Sequence, residues 1–433
     1  MSMNHQRIIV VVLCVCISVC IASAAGVERP FFLQGGERVV FFGDSITQAG
    51  QYIEYIEVFL LTRFPDETFE VINRGISSET LSGTSEIDHN PPRPDAHKRF
   101  GRDITPLRPD LLVSCFGMND GNYRPFSEEL FAKYKSGVRR LVKRAAEEAK
   151  TTPVIMTPPP FDPYRKKTSD PDAGHWGYKY AFIGYDDVLE RYSQWLLTFR
   201  NDGLAVADVH TAMSRHLFER RRKKVSFYLS GDGVHPNPTG HWLMAQTLLL
   251  TWNAPAQAGS VEIDADAKSA VRGDVTNLSV QNGIIEFTWR TGLPMPMDPQ
   301  WDAVSIMVEK VAERLNRHQL KVTSLSAERY QLFADGQMIA EVGREQLAEG
   351  VDLPGYPGFP TVKQSQEVLT LVQRRQRLVY KTWRRSIKAK DKDLLESVAA
   401  EAAELNATAR RLCQPKPIAL RLVPVTSGSP LSQ

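Results

Sequence analysis

Short apolar runs alternate with stretches of helical period over residues 37–252. Residues 38–42 read as a buried strand that stops at Gly43, and residues 52–63 have the spacing of a helix. Further strands are predicted at 69–73, 110–116, 153–156 and 204–209. Between them, residues 127–149 form an amphipathic helix with Leu130, Tyr134, Val138, Leu141 and Val142 on one stripe, and residues 240–251 close the region as a helix. Strands alternating with helices predict a parallel sheet covered on both faces. Ligands then belong outside the carboxyl ends of the strands.

Two long polar stretches interrupt this pattern. Residues 85–102 are rich in proline, and residues 158–184 carry Tyr164, Trp176, Tyr178 and Tyr180 among Pro, Asp and Lys. Loops of that length are usually functional or disordered, and the second follows a strand end. Residues 254–260 read as a linker, after which the pattern is less regular. Asn282-Gly283 and Asp335-Gly336 are hairpin turn signals. Residues 301–317, 361–388 and 390–412 read as helices, the last two as long, charged ones with solvated faces. The chain is thus divided into residues 1–25, 26–256 and 257–433, the last a mixed α+β region of no assigned role.

The first of these segments changes the reading of the rest. Arg7 precedes an apolar run over residues 8–21, followed by Ala22, Ser23, Ala24 and Ala25. A basic start, a short apolar core and small residues predict a secretory signal peptide cleaved after Ala24 or Ala25. An uncleaved anchor is the other reading, although about 20 apolar residues are needed to span a bilayer. The expected location is exported, secreted or periplasmic, with no stable membrane insertion after cleavage. Of five cysteines only Cys115 and Cys413 would remain. One disulfide is open to them, but Cys115 lies in an apolar strand, where a buried thiol is commoner. A net charge of +3 in 433 residues gives no reason to expect a nucleic-acid partner.

Four short signals follow the strands in order. Gly43-Asp44-Ser45 comes after the first strand, where a helix begins and backbone N–H groups can meet an anion. Asn73-Arg74-Gly75 follows the second; a glycine there lets backbone approach a ligand closely. Gly117-Met118-Asn119-Asp120-Gly121 follows the third and offers a neutral amide donor. Asp232-Gly233-Val234-His235-Pro236 precedes the last helix, and an acid three residues before a histidine can orient the imidazole. Singly, each has a bland explanation as a cap, turn or loop.

Together they resemble the SGNH hydrolases, or GDSL esterases, over residues 37–252. The resemblance implies a three-layer α/β/α, flavodoxin-like fold. It implies a triad of Ser45, His235 and Asp232, and an oxyanion hole of Ser45, Gly75 and Asn119. Ile46 departs from the family's leucine, and there is no G-x-S-x-G elbow. No cofactor or metal is implied. The expected partner is an ester substrate, with short acyl groups on carbohydrate favoured because Tyr164, Trp176, Tyr178 and Tyr180 suit sugar faces. A lipase-like or lysophospholipase-like acyl hydrolase and a non-catalytic carbohydrate-binding protein are the alternatives.

Other pairings are weaker. Asp208 and His210 are expected to be structural, lying two apart on a strand. Asp88, His89 and His97 lack the spacing of a metal site. Asp44 is expected to tie down the turn that carries Ser45.

Overall fold

Five parallel strands, β1 (Arg38–Gly43), β2 (Glu70–Gly75), β3 (Leu111–Cys115), β4 (Thr152–Met156) and β5 (Ala205–Ala207), pair in the order β2-β1-β3-β4-β5. The computed structural model describes residues 31–391 and 393–425, so the expected signal peptide, residues 1–25, lies outside the described residues. Val39, Val40, Phe41 and Phe42 of β1 are all buried. A strand covered on both faces reads as a continuous apolar run rather than an alternating one. Helices α1 (Ser45–Ala49), α2 (Gln51–Arg63), α3 (Glu128–Arg144), α4 (Tyr185–Leu197), α5 (Val209–Lys223) and α6 (Pro238–Thr251) complete a three-layer α/β/α arrangement. The strand order reverses at β1, and ligands bind at the crevice such a reversal opens.

The second half departs from the alternating pattern. Antiparallel hairpins form at Asn282-Gly283, joining Asp274–Gln281 to Ile284–Thr291, and at Asp335-Gly336, joining Arg329–Ala334 to Gln337–Gly343. All four turn residues have positive φ, the conformation such two-residue turns require. The expected linker is partly a strand: Gln257–Asp264 runs parallel to Arg317–Thr323. Its Ala, Gly and Ser residues conceal a ladder formed with a distant segment. The single helix expected over 301–317 is two short helices, Ala303–Val308 and Val311–Leu315, separated at left-handed Lys310.

These later segments return to the first core. Leu293, Met295, Trp301, Val311 and Leu315 are buried in the same apolar cluster as the strands of the parallel sheet. Trp301 stacks on Trp242 of α6 with ring centroids 4.5 Å apart, and Tyr55 of α2 donates to Asp298 at 2.8 Å. The 30-residue helix α7 (Pro360–Ala389) presses Val368, Leu369 and Val372 into that cluster. It also covers the sheet's open edge: Gln376 Nε2 donates to Val71 O of β2 at 3.1 Å and Tyr380 Oη to Gly75 O at 2.8 Å. An uncovered edge strand leaves unpaired carbonyls and invites pairing with another chain. Cys115 and Cys413 are both free and buried. Among the described residues no helix is long and apolar enough to cross a membrane.

Candidate active site

Ser45 is the first residue of α1, placed by the turn that leaves β1. Asp44 caps that helix, its Oδ1 accepting from Ile46 N at 3.0 Å. This is the expected anchoring role. Burial pushes the Asp44 carboxyl up to about 7, against the pull of the Ile46 N–H and His235. Gly43 cannot carry a side chain, because a Cβ would lie 2.0 Å from Thr47 Oγ1 and 2.7 Å from Cys115 O.

The turn before α6 brings the other partners to Ser45. His235 Nε2 lies 2.8 Å from Ser45 Oγ, and His235 Nδ1 lies 2.7 Å from Asp232 Oδ2. A carboxylate can only accept, so Nδ1 carries the proton and Nε2 is left to accept from the serine hydroxyl. Asp232 Oδ1 accepts from the backbone N–H groups of Val234 at 3.0 Å and His235 at 2.8 Å. Burial alone would raise the Asp232 carboxyl; the His235 ring and these two N–H groups outweigh it and hold it well below the usual carboxylate range. A fourth donor is Tyr178 Oη, 3.1 Å from Asp232 Oδ2. Its phenol is pushed up to about 12 by burial and by Asp232, so it remains a donor. The loop that carries Tyr178 also braces the turn, through Asp162 N to Gly233 O at 2.9 Å.

Asn119 is buried with its amide orientation fixed from behind. Its Oδ1 accepts from Arg93 Nη1 at 2.9 Å and Tyr123 Oη at 3.0 Å. Nδ2 therefore turns the other way, 3.1 Å from Glu79 O and 3.5 Å from Asp44 Oδ2. Arg93 is itself paired with Glu86. Neither Arg93 nor Tyr123 was singled out by sequence reasoning. The proline-rich stretch holding Arg93 was the only signal.

Gly75 differs from its expected place. Its N–H is given to Asn73 Oδ1 at 2.8 Å. A Cβ there would lie 2.2 Å from Gln48 N, so the glycine lets β2 approach the α1 turn. The nearby free backbone donor is Ser78, whose N–H has no partner among the described residues and whose φ is 66°. Its carbonyl and Asn119 Oδ1 share Arg93 Nη1, at 3.5 and 2.9 Å.

The four aromatic residues separate. Tyr178 joins the triad, whereas Tyr164 is 84% exposed with the Arg221 guanidinium over its ring. Trp176 donates to Asp170 O at 3.1 Å, and Lys167 lies over the Tyr180 ring. The cavity that opens at Ser45 and His235, about 690 Å³, is lined by none of the four. Its far wall is Glu54 of α2 together with Gln373, Arg377, Tyr380 and Lys381 of α7. The charge on α7, expected to be a solvated face, thus borders the site. Burial pushes Glu54 up to about 7, with Arg377 opposing.

The remaining candidates sit apart. Asp208 caps α5 and His210 lies in its first turn, so the pair is helical rather than on a strand; His210 Nε2 bonds Asp186 at 3.2 Å. His89 bonds Pro91 O and His97 bonds Gly137 O. Among the described residues no three His, Cys, Asp or Glu side chains converge to hold a metal ion.

A serine hydroxyl, an imidazole and a carboxylate joined in line at the strand-order reversal of a parallel sheet are the equipment of a serine hydrolase. Residues 41–243 match the model of the GDSL-like lipase/acylhydrolase family, which makes the class a carboxylic ester hydrolase. An acetylxylan esterase of Geobacillus stearothermophilus is 25% identical over an alignment of 240 positions that covers 49% of this chain and 93% of that protein. Among solved structures, a gut microbial diltiazem-metabolizing enzyme matches with a TM-score of 0.75 at 23% identity, over 91% of this chain and 98% of its own. The shared fold therefore extends through the second half.

Proposed function

We propose that this chain removes short acyl groups, acetate foremost, from carbohydrate esters outside the cytoplasm. The observation that carries the chemistry is the 2.8 Å approach of Ser45 Oγ to an imidazole whose other nitrogen is held 2.7 Å from Asp232. Ser45 Oγ attacks the ester carbonyl as its proton passes to His235 Nε2. The imidazolium is stabilised by Asp232 and returns the proton to the leaving alcohol. Water then releases the acyl group from Ser45, with His235 again as base. The developing oxyanion is met by the Ser45 N–H, the Ser78 N–H and Asn119 Nδ2, which gives up its long 3.5 Å contact with Asp44 to do so. Gly75 serves to seat β2 against α1. One such donor is worth roughly 3–4 kcal/mol in the transition state.

Support for acetate and carbohydrate comes from the polar cavity wall and from the relative named as an acetylxylan esterase. The test is kcat/KM for acetyl, butyryl and octanoyl esters alongside acetate release from acetylated xylan, on the wild type and Ser45→Ala. Acetyl preference, acetate release, and a loss of about 10⁴-fold or more in the variant are expected. Preference for the octanoyl ester with no acetate released would favour the lipid reading. Export rests on the predicted signal segment. An exported product starting after Ala24 or Ala25 by mass is expected; a full-length chain kept in the cytoplasm would contradict it.

A further inference from the structure

The helix α7 carries eight Lys and Arg residues against one acid, Glu367. Some of these cations have partners: Arg374 pairs with Glu401 at 2.6 Å, and Arg375 with Glu57. Arg377, Lys381 and Arg385 form no ion pair among the described residues. They follow one another at four-residue spacing, so they stand about 6 Å apart along one face of the helix. Like charges at that spacing destabilise a helix, and a fold gains nothing by aligning them. The row also has a direction. Arg377 and Lys381 line the cavity that holds Ser45 and His235. With Gln373, the same two line a second cavity of about 560 Å³, which Arg385 extends. The two cavities thus form a groove leading from the nucleophile along α7. Its acids are Glu54, which faces Arg377, and Glu401, already paired with Arg374, so cations are in excess.

We propose that the ester substrate is anionic, its non-reacting part bearing carboxylates that lie along Arg377, Lys381 and Arg385, as in an acetylated oligosaccharide containing uronic acid. This rests on the reading of the chain as a carbohydrate acetyl esterase and supplies the chemistry of the alcohol. The groove is open to solvent, so the interaction is screened by salt.

The experiment compares kcat/KM for an acetylated oligogalacturonide and a neutral acetylated xylooligosaccharide, with p-nitrophenyl acetate as a third ester. It uses the full chain and its Lys381→Gln/Arg385→Gln variant. Both positions are exposed, so the variant is expected to fold. The expected result is a preference for the acidic substrate. That preference shrinks by about fivefold or more in the variant, and shrinks again when salt is raised to about 0.5 M. Equal or greater turnover of the neutral oligosaccharide, or a preference the variant leaves unchanged, overturns the inference. If p-nitrophenyl acetate is still hydrolysed in that case, ester hydrolysis stands and the anionic substrate alone falls. No turnover of any ester would remove both.

Discussion

The parallel-sheet half and the half that follows Trp252 contribute to the site by different physics. The first supplies the groups that converge at the candidate site, through short local motifs at strand ends: Ser45 after β1, Asn119 after β3, and Asp232 with His235 before α6. The second supplies none of these, yet its helix α7 covers the edge strand β2 and forms the far wall of the cavity. Chemistry can be carried by a few neighbouring residues, whereas the shape around it is built by segments some 300 positions away.

The strongest way to break this division is to cut the chain at it. Leu293, Met295, Trp301, Val311, Val368, Leu369 and Val372 are buried against the first half's core. Each contributes about 1.5–3 kcal/mol on burial, and their loss together rivals a typical domain stability of about 5–15 kcal/mol. Residues 26–256 expressed alone are expected to lack a cooperative thermal unfolding transition and to turn over no activated ester. A fragment that melts cooperatively and hydrolyses p-nitrophenyl acetate would show that the first half is self-sufficient.

A smaller effect is expected within the first half. Tyr178→Phe removes one of four donors to Asp232 and leaves His235 Nδ1 and both backbone N–H groups in place. A hydrogen bond to a charged group is worth about 1.5–3 kcal/mol when buried, and Asp232 is partly exposed. A fall in kcat of about threefold to tenfold with little change in KM is expected from steady-state kinetics. A rise in KM with kcat unchanged would make Tyr178 a substrate contact, the role its sequence context suggested.

Legibility followed the same division. The β1 run of four buried residues and the alternation of strands with helices could be read from local patterns, because period and turn chemistry act over a few residues; the serine–histidine–aspartate set was legible only through the resemblance of four motifs taken in order. The left-handed turn at Ser78 could not: a serine does not advertise positive φ as a glycine does. Nor could the wall formed by α7, since an Arg row looks the same whether it borders water or a cavity. One overlooked signal was α6. Its Trp242, Leu243, Leu248 and Leu249 leave no polar face, and a helix apolar on all sides must be covered by something. Trp301 is part of what covers it.

The least effect, and the one that probes the seam between the halves, concerns Glu54. It lies on α2 facing Arg377 and Gln373 of α7, with Glu57 and Asp298 adding negative charge nearby. Burial raises its carboxyl from 4.5 to about 7, so the folded state holds this proton more tightly than the unfolded chain does. Linkage then has a definite sign: the stabilisation is complete below about 4.5 and is lost as pH rises to about 7, levelling off above. Glu54→Gln removes the ionisation while keeping the shape. The difference in Tm, variant minus wild type, should therefore grow from pH 5 to pH 7 and then flatten, reaching about 1–2 °C for about 1–2 kcal/mol. Asp44, raised for the same reason, titrates in both proteins and cancels in the difference. A difference independent of pH would mean that Glu54 is already ionised and paired with Arg377. That pair would occupy the first cation of the α7 row and leave Lys381 and Arg385 alone to meet a carboxylate.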